Sequence, residues 1–129
     1  MKVAIVNHDK FVVQKIQQYL DEDGQVQGVG TAQDGQEAVG MIREQRPEVV
    51  ILDLIMPHVD GMGIMEQVEN QSGRDLHPRY IVGMMKGQEC MFRMAAESQN
   101  VIGVGAGFPS SDLKHAFQII NGGRKTARL

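Results

Sequence analysis

The sequence predicts an α/β domain built from five alternating strand and helix units, with a parallel sheet covered by helices on both faces. Three observations predict it. Five short apolar runs, at residues 3–6, 26–31, 49–52, 80–82 and 101–104, are each bounded by polar or glycine residues. They lack the polar alternation of a half-exposed strand, so they suit strands buried on both faces. Between them apolar residues recur at helical spacing. The chain has 129 residues, enough for one domain that buries roughly two-thirds of its unfolded surface without staples.

The elements follow in order. Val3-Ala4-Ile5-Val6 opens the sheet, and Phe11, Ile16 and Leu20 mark the apolar side of the first helix. After the second strand, Ala38, Met41 and Ile42 mark the second helix. The third strand, Val49-Val50-Ile51-Leu52, closes on Asp53, which places this acid at the carboxyl edge of the sheet. Pro57 fixes φ in the loop that follows and keeps the carboxylate accessible. Asp60 suits the N-cap of a third helix marked by Met62, Met65 and Val68, and Gly61 tolerates the entry turn. A loop at residues 73–78 leads to the fourth strand, with Pro78 restricting the residue before it. The fourth helix, residues 88–98, carries Cys90, Met91, Met94 and Ala95 and is expected to be present but mobile. Leu113, Phe117 and Ile120 mark the fifth, with Ser110 or Ser111 as its cap. Nine methionines serve either as core filling, the favoured reading, or as an adaptable binding surface.

Composition excludes several function classes. The formal charge is −3 with the signs intermixed, so the chain lacks the clustered Lys and Arg that phosphate backbones require, and direct nucleic-acid binding is not expected. The basic residues Arg124, Lys125 and Arg128 follow Gly122-Gly123 and are expected to be a solvated tail. The division is therefore a domain over residues 1–122 and a tail or linker start over 123–129. One cysteine cannot form an internal disulfide. No apolar stretch nears the roughly 20 residues of a membrane span, and residues 3–6 are too short for a signal segment. A cytoplasmic protein without membrane attachment is expected.

Ligands of open α/β sheets gather outside the carboxyl ends of the strands. The residues there are Asn7-His8-Asp9, Asp53, Gly83-Met84-Met85 and Gly105-Ala106-Gly107. A lone acid at such a point is commonly a cap, but Asp53 continues as Leu54-Ile55-Met56-Pro57-His58-Val59-Asp60-Gly61, with Pro47-Glu48 leading into its strand. This pattern resembles the receiver domain of two-component response regulators, over the chain to about residue 122. The details of residues 55–61 and of Gly87-Gln88-Glu89 most resemble receivers of sporulation transcription factors. The resemblance implies a doubly wound flavodoxin/CheY-like sheet of order 2-1-3-4-5, with Asp53 at the phosphoacceptor position. It also implies partner contacts through the fourth helix, fifth strand and fifth helix, to another protein or a second copy. A histidine kinase or phosphotransferase would be the phosphoryl donor, and the domain would not be an enzyme of its own.

The remaining family positions differ. Two acids that help hold Mg²⁺ fall on Asn7 and His8, the hydroxyl position on Met84, the lysine on Ala106 and the aromatic switch on Gly103. Asp9 is one position late and suits an N-cap, although with Asp53 it is the other candidate metal ligand. Mg²⁺ prefers oxygen donors, so its binding is expected to be weak, and no other cofactor is expected. Phosphoryl transfer depends on charge positioning, and one lost electrostatic donor costs about 10² to 10³ in rate. The expectation is an atypical receiver acting through protein contacts. The alternative is a receiver still phosphorylated at Asp53 with a dedicated donor. A nucleotide loop at Gly103-Val104-Gly105-Ala106-Gly107 has the wrong spacing, and a flavin site would need hydroxyls after the first strand. Zinc held by His8, Asp9 and Asp53 is a further minor reading.

Overall fold

The structure is a computed structural model, and it describes residues 1–24, 26–56, 58–72, 77–84 and 101–122. Five strands, β1 (Lys2–Val6), β2 (Gln27–Ala32), β3 (Val49–Asp53), β4 (Arg79–Met84) and β5 (Val101–Gly105), alternate with α1 (Lys10–Glu22), α2 (Gly35–Gln45), α3 (Gly61–Ser72) and α4 (Ser110–Asn121). All strand pairs are parallel, in the order β2-β1-β3-β4-β5. This is the doubly wound arrangement that the sequence predicts. The predicted fourth helix, with Cys90, Met91 and Met94, lies outside the described residues, as do Met85, Pro57, residues 73–76 and the tail. The label α4 therefore denotes the fifth helical segment of the sequence pattern.

Side chains of successive strand residues point to opposite faces, and here both faces are covered. Ala4, Val6, Val50, Leu52, Tyr80 and Val82 pack with Ala38, Ile42, Ile64 and Val68 of α2 and α3. The alternate set, Val3, Ile5, Val49, Ile51, Ile81 and Ile102, packs with Val13, Ile16, Leu20, Leu113 and Phe117 of α1 and α4. Stacked rings of Tyr19 and Phe117, 6.4 Å between centroids, join the two helices of that layer. This double burial explains why the strands read as unbroken apolar runs. Met56 and Met65 are buried while Met41, Met62 and Met84 are partly so, all against the α2 and α3 face.

Two expectations need correction. Phe11 is 83% exposed, and the inward stripe of α1 is Val13, Ile16 and Leu20. Neither Ser110 nor Ser111 caps α4: its N-cap is Pro109, without a side-chain cap bond. The edge strand β2 contains a bulge, since Val3 faces Gly28 but Ala4 faces Gly30. Among the described residues, no helix is long and apolar enough to cross a membrane.

Candidate functional site

The carboxyl ends of β1, β3 and β4 bring the site together. Val6 pairs with Leu52 and Asp53 pairs with Gly83, so the residues following β1 stand beside Asp53. Asn7 is buried, at 2% exposure. Its backbone N–H donates to Ala32 O at 3.0 Å, and its side-chain Oδ1 accepts from the Asp9 N–H at 2.9 Å. Asp9 caps α1, its Oδ1 accepting from the N–H groups of Phe11 at 2.9 Å and Val12 at 3.4 Å. Such a cap satisfies donors that the first turn otherwise leaves unpaired.

Asp53 ends β3 with a side chain that is 25% exposed. One carboxylate oxygen, Oδ1, accepts from the Ile55 N–H at 3.1 Å. The other, Oδ2, lies 3.9 Å from Nδ1 of His8, whose side chain is 51% exposed. Burial raises the Asp53 pKa above its ordinary value, with the Ile55 hydrogen bond and the His8 charge acting in the opposite direction. The loop beyond is pinned at both ends. Gly61 N–H donates to Leu54 O at 2.8 Å, and Asp60 Oδ1 accepts from Gly63 N–H at 2.8 Å, capping α3. A Cβ at Gly61 would lie 2.7 Å from Leu54 Cα and 2.8 Å from Asp53 O, so this glycine is needed for close approach rather than merely tolerated at a turn.

The raised pKa sets a stability prediction. A group whose folded pKa exceeds its unfolded value stabilises the fold below the unfolded pKa and loses that contribution as pH rises through the folded one. Ionised Asp53 is therefore a net cost at pH 7. Asp53→Asn is expected to raise the thermal midpoint at pH 7, with the gain shrinking as pH falls through the raised folded pKa and gone below the ordinary Asp value of 3.8. Melts of both proteins at pH 3.5 and 7 check this; a variant no more stable than wild type at pH 7 contradicts it.

On the far side of Asp53, β5 turns into α4 through two left-handed residues, Gly107 with φ 81° and Phe108 with φ 54°. Phe108 is buried and its ring presses on Gly83, where a Cβ would lie 2.6 Å from Cζ. Asp112 in the first turn of α4 accepts from Gly105 N–H at 2.9 Å. Lys15, reaching over from α1, donates to Gly107 O at 3.0 Å. Asn7, His8, Asp9, Asp53 and Ala106 thus line one cleft of about 150 Å³ with Gly83, Gly107 and Phe108. Met84 and Gly103 do not line it: Met84 packs on the α2 and α3 layer, and Gly103 sits within β5 beside Val82. Gly103 and Gly105 are strand residues rather than turns of a nucleotide loop. The cleft is smaller than the roughly 300–1,000 Å³ of typical small-molecule sites.

Residues 3–104 match the response regulator receiver domain family. The chain belongs to that family. Part of this receiver domain, 67 residues or 52% of the chain, is 36% identical to a protein-glutamate methylesterase/protein-glutamine glutaminase of Methanospirillum hungatei, of which it spans 20%. Solved structures that share the fold include two receivers. The signal receiver domain of the NarL response regulator of Mycobacterium tuberculosis superposes with a TM-score of 0.80 at 22% identity, covering 95% of this chain and 97% of that one. The isolated receiver of RcsB from Salmonella enterica serovar Typhimurium, with phosphomimetic BeF₃⁻, gives 0.81 at 21%, covering 99% and 93%.

Receivers of this family imply a bound Mg²⁺, and the donors in the cleft do not fit it. Asn7 is a neutral amide engaged with Asp9, His8 offers nitrogen to a cation that favours oxygen, and one Asp9 oxygen is committed to the helix cap. Among the described residues, no three His, Cys, Asp or Glu side chains converge on a common metal position.

Proposed function

We propose that this receiver domain is an atypical one, the regulatory part of a transcription factor, which keeps Asp53 but has an impaired phosphorylation site and signals through protein contacts. The observation that carries the reading is the charge inventory of the cleft. Asp53 faces a histidine at 3.9 Å, while Asp9 caps a helix and, among the described residues, no lysine lines the space. An aspartyl phosphate would add roughly −1.5 to −2 charges with little positive charge to receive them.

Protein contact is supported by two large apolar side chains left in water, Phe11 and Ile55, at 83% and 53% exposure. They belong to the first turn of α1 and to the β3–α3 loop. The face of β5 and α4 is the second candidate, for a partner protein or a second copy. The transcription and sporulation roles both draw on the sequence resemblance of residues 55–61 and 87–89. The match to 20% of a protein named as a methylesterase leaves an enzyme domain as the alternative output. A cytoplasmic location accords with the composition.

The competing reading, a receiver phosphorylated at Asp53 by a histidine kinase or phosphotransferase, draws on the retained, partly accessible carboxylate. Wild type and Asp53→Asn are incubated with acetyl phosphate and Mg²⁺, and with a candidate phosphotransferase, and intact mass is recorded. The proposed function predicts no Asp53-dependent adduct. One phosphoryl group gained by wild type and not by the variant would favour the competing reading.

A further inference from the structure

The cleft contains a nucleophile that the receiver pattern does not use. His8 occupies a position where that pattern has an acid, and it is half exposed with Nδ1 3.9 Å from Asp53 Oδ2. We propose that His8 is itself a phosphoryl acceptor, with Asp53 as the carboxylate that orients its ring. The inference rests on the reading of the cleft as poor in metal and cations.

The two oxygens of Asp53 are already divided. Oδ1 is held by the Ile55 N–H, which leaves Oδ2 as the oxygen facing the imidazole. A carboxylate beside Nδ1 favours the tautomer protonated there, so the lone pair resides on Nε2. At 3.9 Å the pair is longer than a hydrogen bond, yet nucleophile and orienting group are often looser before the substrate arrives. Among the described residues, His8 alone of the four histidines has such a carboxylate contact.

Electrostatics then selects between the two nucleophiles. A carboxylate attacking a phosphoryl dianion brings like charges together and depends on metal and ammonium to offset them. A neutral imidazole brings no negative charge. As Nε2 attacks an acyl phosphate or a phosphoramidate, the Nε2–P bond forms and the P–O or P–N bond to the leaving group breaks. The leaving group departs as carboxylate or, after taking a proton, as ammonia. The positive charge that develops on the ring faces Asp53, and the Nδ1 proton stays shared with that carboxylate.

The test uses phosphoramidate without Mg²⁺ on the whole chain, with adduct positions mapped by mass spectrometry and His115, exposed on α4, as internal reference. The expected result is an acid-labile, alkali-stable adduct on His8 that forms at least about tenfold faster than on His115. Asp53→Asn is expected to slow His8 about tenfold, below the range of ~10² to 10⁴ for a fully engaged base, and to leave His115 unchanged; Asp53→Glu restores part of the rate. A His8 rate no greater than that of His115, or one indifferent to Asp53→Asn, overturns the proposal. A separate arm with Mg²⁺ and acetyl phosphate scores the earlier reading: an alkali-labile adduct on Asp53, retained in His8→Asn, overturns impaired Asp53 chemistry without bearing on the metal-free result.

Discussion

A variant carrying Asn7→Asp, His8→Asp and Ala106→Lys is expected to take up phosphate from acetyl phosphate at least 10² to 10³ times faster than wild type, a gain of about one restored electrostatic donor or more. The backbone is already suited to the change. Asn7, His8 and Ala106 line the same cleft as Asp53, and an aspartate at position 7 can still accept from the Asp9 N–H. The new carboxylates lie beside a half-buried Asp53, so their mutual repulsion should lower stability until a cation arrives. The variant should therefore melt lower than wild type in EDTA and rise on addition of Mg²⁺, whereas wild type should respond little. Intact-mass kinetics and melts with and without Mg²⁺ measure both effects. A variant as slow as wild type would show that the missing donors do not explain the impairment.

The largest structural effect is expected at Gly61. An added Cβ would meet Leu54 Cα and Asp53 O at under 3 Å, and both are backbone atoms at the end of a central strand. They cannot rotate away as a side-chain tip would. Gly61→Ala is expected to cost about 1–3 kcal/mol, the usual range for overpacking, and to displace the Asp53 carbonyl. Gly40, inside α2 with open space around its Cβ direction, supplies the contrast. Gly40→Ala should stabilise by about 0.4–1 kcal/mol through helix propensity and the unfolded chain. Urea denaturation of the two variants decides the matter; equal behaviour would mean that the loop yields more readily than its close approach implies.

The sheet was legible because burial on both faces leaves a simple trace, apolar runs cut off by polar residues, and Asp53 stands where one run stops. Phe11 shows how the same logic goes wrong. At about 100° per residue, Phe11 lies roughly 140° from Ile16 around α1, whereas Val13 and Leu20 lie within about 60° of it. The phase was present in the sequence, and strict attention to it points Phe11 outward. The contacts of Gly83 with Phe108 in the cleft, and of Lys15 with Gly107 O, had no comparable trace. Phe108 meets Gly83 from a different strand end through a left-handed backbone, and Lys15 reaches Gly107 across 92 residues of chain. Such pairings depend on tertiary register, which no local period encodes. Asp9 was readable as a cap from its place before a helical run, while the use of Asp112 to hold β5, in place of a serine cap on α4, was not.

The bulge in β2 bears on how copies of this domain behave at high concentration. An edge strand with a flat, continuous row of free amides and carbonyls is a template on which another chain can grow as sheet. The extra residue between Gly28 and Gly30 interrupts the spacing of that row and adds local twist. Removing it would leave β2 evenly paired with β1, and it would also leave the domain a straighter edge for unwanted polymerisation.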